Sequence, residues 1–253
     1  SYVGRQARWV DFDNDYKTMD IDFMESVWWV FKQLWDKDRV YKSYRIMPYS
    51  CKLATPLSNF EANQNYKDVQ DPAVTVRFRV TEGADQISPK LPVGKSLFMT
   101  AWTTTPWTLP ENLALCVGPK VEYAVVEDIE SGDHHVFAEA RLASYDKKLG
   151  KALGKLEEGA DPVGTEGKTY RFVGRVAASD LVGIQYEPLF PYYSDAPNAF
   201  VVLEDGYVTI EDGTGIVHQA PAYGEDDFRV CRAVNIDLVD PLDAEGRFEE
   251  PLS

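Results

Sequence analysis

Cysteine, histidine and basic charge are all scarce in this 253-residue chain, and each scarcity removes a class of function. The three cysteines, Cys51, Cys116 and Cys231, are odd in number, scattered, and form no C-x-x-C pair. That excludes a disulfide framework and a zinc ribbon, and fits a reducing compartment, expected to be the cytoplasm. Lysine and arginine total 26 against 41 acidic residues, so a net charge of −15 repels a phosphate backbone at long range and excludes a general nucleic-acid binder. No apolar run approaches the roughly 20 residues of a membrane span, and no secretory signal opens the chain. There is no G-x-S-x-G elbow, P-loop, G-x-G-x-x-G or H-E-x-x-H. Serine-hydrolase, ATP, dinucleotide and zincin readings therefore lack their motifs, and no cofactor or metal is expected. A Cys–His pair using Cys116 or Cys231 stays open, although nothing around either thiol points to activation. The chain opens on an aromatic stretch without Met and reads as a fragment of something longer.

What is present is a globular composition, 44% hydrophobic and 13% aromatic, enough for a sizeable core. One segment has clear helical periodicity: in "DFMESVWWVFKQLWDKDRV", Met24, Val27, Trp28, Phe31 and Trp35 share a face. Asp22 with Glu25 predicts a capping-box start, and Lys37 and Arg39 a C-terminal end. After Pro72 the texture becomes β-rich: residues 73–80, 95–103, 121–129, 134–140, 170–176 and 207–221 read as strands between Gly, Pro and Asp turns. "SGDH" (131–134) predicts a hairpin turn, with His134 and His135 as its surface decoration. Short helices are expected over "EARLASYDKKLG" and "GEDDFRVCRAVN". Many short strands with few helices predict an α+β protein: a helix-rich leader (1–65) packed on a core, then a β-barrel domain (66–253), since closure removes exposed edges.

Two segments concentrate the candidate chemistry. "TAWTTTPWTLPENLALC" sets Thr100, Thr103, Thr104, Thr105 and Thr108 beside Trp102 and Trp107. Pro106 and Pro110 remove backbone donors, so a strand must end near Thr103 and give way to a kinked, hydroxyl-lined loop. In "GTGIVHQAPAYGEDDF", Gly213 and Gly215 permit close backbone approach ahead of His218. On spacing alone His218 could equally be structural. Asp226 and Asp227 open a short helix, where one carboxylate suits a cap and the second is free to face a ligand cation.

Together, "WTTTPWTLPEN" and "GTGIVHQAPAYGEDDF", about 110 residues apart, resemble the two signature segments of the isoleucyl-tRNA synthetase editing domain, the connective peptide 1 insertion. "DYKTMDIDFMESVWWVFKQL" and "PLSNFEANQNYKDVQDP" resemble the eukaryotic cytosolic branch, so the likeness covers most of the chain. Valyl enzymes are similar but carry a T-T-R-P-E-T form where this chain has Thr104-Thr105-Pro106-Trp107-Thr108. The H-I-G-H-like and K-M-S-K-S aminoacylation motifs are absent.

The resemblance implies proofreading: hydrolysis of the ester in misacylated Val-tRNA(Ile), without formation of an adenylate. One methylene is worth only ~1–3 kcal/mol in a hydrophobic pocket, a limit for which this family is itself the standard illustration, so a second sieve is needed. The implied pocket holds Thr103, Thr104, Thr105, Trp107 and Asn112. Thr104 and Thr105 act on the scissile ester, Asp227 pairs with the substrate α-ammonium and orients the ester, and His218 bounds the side-chain pocket. No general base is assigned. The implied partners are the 3′ CCA end of tRNA(Ile) carrying valine and the remainder of a parent synthetase, with no membrane. A CCA end needs few phosphate contacts, which squares the reading with the acidic charge; "KKLGKALGK", Arg229 and Arg232 are the local cations on offer, the first reading better as a solvated helix face. Alternatives are valyl-type editing of Thr-tRNA(Val) and a non-catalytic aminoacyl-adenosine binding or docking module.

Overall fold

The computed structural model describes residues 2–7, 9–157 and 164–249. They cluster into two units, Ser1–Arg45 and Ile46–Ser253. The first holds α1 (Tyr2–Arg5) and α2 (Ile21–Trp35). α2 starts one residue before the predicted Asp22, with Asp20 as N-cap making no side-chain cap bond, so the predicted capping box does not form. It ends at Trp35 with Asp36 as its C-cap, beyond which Asp38 adopts a positive φ, and Lys32 pairs with Asp36 one turn on, at 2.9 Å. Residues 46–65, expected in the leader, cluster with the second unit. They contain β1 (Tyr49–Ser50), β2 (Thr55–Pro56) and α3 (Asn59–Ala62). α3 has the capping box that α2 lacks: the Ser58 hydroxyl accepts from Glu61 N–H, and the Glu61 carboxylate accepts from Ser58 N–H.

The rest of the second unit runs β3 (Val74–Arg79), α4 (Ala84–Ile87), β4 (Leu97–Thr103), β5 (Ala114–Val117), β6 (Glu122–Asp128), β7 (His134–Ala138), α5 (Leu142–Tyr145), α6 (Lys147–Leu153), β8 (Tyr170–Ala177), α7 (Ala178–Leu181), β9 (Val201–Glu204), β10 (Ile216–Gln219) and α8 (Glu225–Ala233). The mix is α+β, as expected, but the barrel is not. The strands form a five-stranded sheet in the order β3-β4-β7-β6-β8 and a three-stranded sheet in the order β10-β5-β9. Both stay open: β3 and β8 end one, β10 and β9 the other.

Burial explains why two open sheets suffice. Leu115, Val117, Val202 and Ile216 of the smaller sheet meet Phe78, Met99, Tyr123, Val125 and Val136 of the larger one in a shared core. Alternate residues on the far faces are covered by helices. Ala124, Val126 and Phe137 pack against Leu142, Leu149 and Leu153 of α5 and α6. Ala114, Cys116 and Leu203 pack against Val230 and Cys231 of α8. The inner faces are thus buried by the two sheets against each other and the outer faces by helices, so a core forms without closure. Tyr123 then links the layers: its fully buried hydroxyl accepts from Gly118 N–H at 2.8 Å and donates to the Gly215 carbonyl at 2.7 Å.

The histidine pair departs from its expected surface position. His134 and His135 begin β7 and are both buried. His134 Nδ1 lies 2.6 Å from the Ser88 hydroxyl, and His135 stacks on Phe98 with centroids 5.4 Å apart. The residues 207–215, expected as strand, are instead turns; only Ile216–Gln219 pairs.

Gly213 and Gly215 shape the approach to β10. Both have positive φ, and a Cβ on Gly215 would lie 2.4 Å from the Ala138 Cβ. Gly94 has an equally positive φ but open space around it. Gly215→Ala should therefore cost at least about 2 kcal/mol more than Gly94→Ala in urea unfolding, the excess being overpacking rather than backbone strain. Equal costs would mean that the Ala138 contact yields freely.

Candidate active site

β4 ends at Thr103, and the chain turns through a 3₁₀ helix, Pro106–Glu111, with proline at its first position. The threonines brace this turn. Thr103 Oγ1 accepts from Thr105 N–H at 3.0 Å, and the Thr108 hydroxyl donates to the Thr105 carbonyl at 2.8 Å. β5 follows directly and pairs antiparallel with β10, with Leu115 opposite His218. That register carries His218 back to the turn: its Nε2 lies 2.9 Å from Thr108 Oγ1. Past β10, residues 220–224 lead into α8, whose N-cap is Gly224 with no side-chain bond. Neither acid caps. Asp226 pairs outward with Arg229 at 2.8 Å, while Asp227 Oδ2 accepts from Ala220 N–H at 3.1 Å. Gly224 makes room for it, since a Cβ there would sit 2.8 Å from the Asp227 carboxyl carbon.

These elements enclose a cavity of about 400 Å³. Thr103, Thr104, Thr105, His218 and Asp227 all line it, so five of the expected site residues converge from two distant segments. Trp107 and Asn112 do not line it. Trp107 packs edge-on against the lining Tyr223, with centroids 4.9 Å apart. Asn112 is buried behind the wall, its amide donating to the Ala114 carbonyl at 2.9 Å and accepting from the Tyr186 hydroxyl at 2.7 Å. Lining residues that the sequence did not single out include Tyr207, Glu211, Asp212 and Tyr223. Tyr223 sits inside the quoted "APAYGEDD" but carried no signal beyond its place there. Its hydroxyl donates to the carboxyl of Glu111, which is buried and pushed up to about 8 by desolvation. Arg141 fixes the rim, donating to the carbonyls of Gly213 at 3.0 Å and Glu211 at 2.8 Å.

The cavity is acidic. Glu211, Asp212 and Asp227 line it, and no lysine or arginine is among its described lining residues. Arg229, a cation on offer, is committed to Asp205 and Asp226, and Arg232 lies over the Phe228 ring. Burial first, and then the neighbouring Asp226 charge, raise Asp227 to about 6 despite the Ala220 bond. His218 is lowered to about 4 by burial alone. At neutral pH the cavity thus holds a desolvated carboxylate and a neutral imidazole, a combination that attracts a cationic group. A thiol nucleophile is not on offer: burial pushes Cys116 and Cys231 up to about 12. Among the described residues no group of His, Cys, Asp or Glu is arranged to hold a metal.

Residues 1–221 match the family model for tRNA synthetases class I (I, L, M and V). The chain belongs to this family. Over 253 residues it is 48% identical to the isoleucine--tRNA ligase of Mycobacterium tuberculosis, covering 98% of this chain and 22% of that protein. It is 46% identical over 260 residues to the cytoplasmic isoleucine--tRNA ligase of Mus musculus, covering 100% of this chain and 18% of that protein. The chain therefore spans about a fifth of the length of these relatives. Bacterial and eukaryotic ligases match about equally well, so the expected eukaryotic assignment is not singled out. Among solved structures, the editing domain of the P. falciparum cytosolic leucyl-tRNA synthetase is similar with a TM-score of 0.43 and 12% identity, covering 70% of this chain and 73% of that one.

The raised Asp227 has a consequence for stability. Its folded pKa lies above the ordinary carboxylate value, so holding it ionised at neutral pH destabilises the fold, and the penalty disappears as pH falls from about 6 to about 4. Asp227→Asn keeps an oxygen for Ala220 N–H and removes the charge. It should stabilise the chain by roughly 1–3 kcal/mol at pH 7.5 and by nothing measurable at pH 4. A variant less stable than wild type at pH 7.5 in chemical denaturation would contradict this.

Proposed function

We propose that this chain is the proofreading part of an isoleucyl-type class I synthetase, acting in the cytoplasm to hydrolyse the ester that joins valine to tRNA(Ile). The observation that carries the reading is the meeting of the threonine turn, His218 and Asp227 around one acidic cavity. An aminoacyl ester presents an α-ammonium group, and Asp227, ionised at neutral pH and short of cationic partners, is the group suited to receive it. Its engagement holds the ester against Thr104 and Thr105 of the lining, whose hydroxyls in this reading stabilise the charge that develops on the carbonyl oxygen. The attacking water needs little activation against an ester, and no side chain here is assigned as its base.

Trp107 and Asn112 support the pocket from behind, Trp107 by bracing Tyr223 and Asn112 by fixing the chain between the turn and β5. The tRNA body falls to the remainder of the parent synthetase. Such a division of labour fits a chain of charge −15 whose cavity has no lysine or arginine among its described lining residues.

Two measurements test the reading. Replacing Thr104 and Thr105 together with Ala should slow deacylation of Val-tRNA(Ile) by at least roughly tenfold, about 1.4 kcal/mol in the barrier, while changing stability by less than about 1 kcal/mol. A rate that does not move returns the threonines to an ordinary turn. His218→Ala should open the sieve: hydrolysis of correctly charged Ile-tRNA(Ile) rises by at least roughly tenfold, because a wall that excludes one methylene by overpacking is worth ~1–3 kcal/mol. Collapse of both the valyl and isoleucyl rates would assign His218 to the chemistry rather than to the sieve.

A further inference from the structure

The hydrogen-bond directions around His218 settle which of its nitrogens carries the proton. A hydroxyl has one hydrogen, and Thr108 gives its own to the Thr105 carbonyl at 2.8 Å. Towards His218 the same oxygen can only accept, so the group facing it at 2.9 Å is an Nε2–H. The remaining nitrogen, Nδ1, is buried and has no partner among the described residues. A doubly protonated ring would leave a buried N–H⁺ without an acceptor. The ring is therefore the neutral Nε2–H tautomer, with its only lone pair cut off from water. Burial holds the ring neutral to the same effect, lowering it to about 4.

From this geometry we infer that Thr108 is a specificity-determining positioning residue: by anchoring Nε2–H, it locks the His218 ring in place as a fixed wall of the cavity and removes it from proton transfer. The inference rests on the proposed editing reading for the substrate concerned, but the tautomer does not. Thr108 suits the task because its hydroxyl is spent twice. The bond to Thr105 orients it, and the bond from His218 uses it. Its single proton is thereby committed to Thr105, so it has none to offer the ring and can only accept from it. The ring is hindered from rotating about its Cβ–Cγ bond, since rotation would break the bond to Thr108 and bury a second unpaired nitrogen. A wall that cannot turn aside can discriminate by one methylene; a mobile one would yield to the larger side chain.

The test uses the 253-residue chain labelled with ¹⁵N-histidine, together with Thr108→Val and Thr108→Ser. His218 is identified in the imidazole spectrum by its loss in His218→Gln. In the wild type its Nε2 should be protonated and its Nδ1 bare. Thr108→Val, near in shape but without the hydroxyl, should shift or broaden this pattern and raise the ratio of Ile-tRNA(Ile) to Val-tRNA(Ile) hydrolysis roughly three- to tenfold, the worth of one neutral hydrogen bond. Thr108→Ser should restore both the spectrum and the ratio, which a purely packing role would not do. A protonated Nδ1 in the wild type overturns the inference, as does a Thr108→Val chain that melts normally with spectrum and ratio unchanged. If the wild type hydrolyses neither ester, the editing reading fails and the specificity role with it, while the spectrum still reports the tautomer.

Discussion

The pairing of β5 with β10 is the constraint on which the rest of the site depends. β5 leaves the threonine turn directly, and β10 carries His218, so the ladder joins two segments that are distant in the chain. Its register is specified by burial on both sides. Leu115, Val117 and Ile216 face the core between the sheets, while Ala114, Cys116 and Val217 face α8. A slip of one residue would send each set to the wrong face, and would present Val217 or Gln219 to Thr108 in place of His218. The geometry of the cavity is thus protected by the hydrophobic effect, acting through Leu115, Val117, Ala114 and Cys116, which do not line it, as well as through Ile216 and Val217, which do. Tyr123 adds a second tie, holding Gly118 after β5 and Gly215 before β10 through one hydroxyl.

The strands that were legible in the sequence either alternate in burial, as β3 does, or are β-rich runs bounded by clear Gly, Pro or Asp turns, as β6 and β7 are. β3, with every second residue turned inward, and the β6–β7 hairpin around Gly132 fall within the predicted stretches. β5 and β9 are only four residues long, β5 is buried at every position, and neither shows a period-two pattern, so nothing in the sequence marks them as strands. The barrel expectation rests on many short strands, few helices and the removal of edges by closure, and none of these says whether the strands close on themselves or split into two packed open sheets. His134 and His135 failed for a related reason: a turn signal places residues in sequence but not in depth, and here β7 lies between β4 and β6, inside the sheet.

The site was legible through resemblance far more than through spacing. Spacing put a kinked hydroxyl loop after Thr103 and a doubled acid at a helix start, and the structure has both. It could not say that these meet, since the ladder that joins them includes the strand that was missed. Nor could it separate lining from support. Asn112 and Trp107 stand in the same short motif as Thr104 and Thr105, yet a 3₁₀ turn distributes its side chains around its axis. Some face the cavity and others face the framework behind it. Tyr207 and Tyr223 line the cavity from turns with no periodicity to read.

Charge decides what such a cavity can accept. Three carboxylates line it, and the one set deepest, Asp227, is kept ionised at neutral pH against the preference of its surroundings. A ligand cation would relieve that penalty, and under the proposed reading that relief contributes to affinity for the α-ammonium group. The same charges oppose a phosphate approaching the pocket, which favours a substrate that enters by a short neutralised end and leaves its polyanionic body elsewhere. His218, neutral and anchored through Thr108, adds no charge to this balance. Under the proposed reading, attraction and discrimination are thereby separated. Asp227 draws in any aminoacyl ester by its ammonium, and a fixed uncharged wall rejects those whose side chain is one methylene too large. Neither residue has to titrate for the other to work.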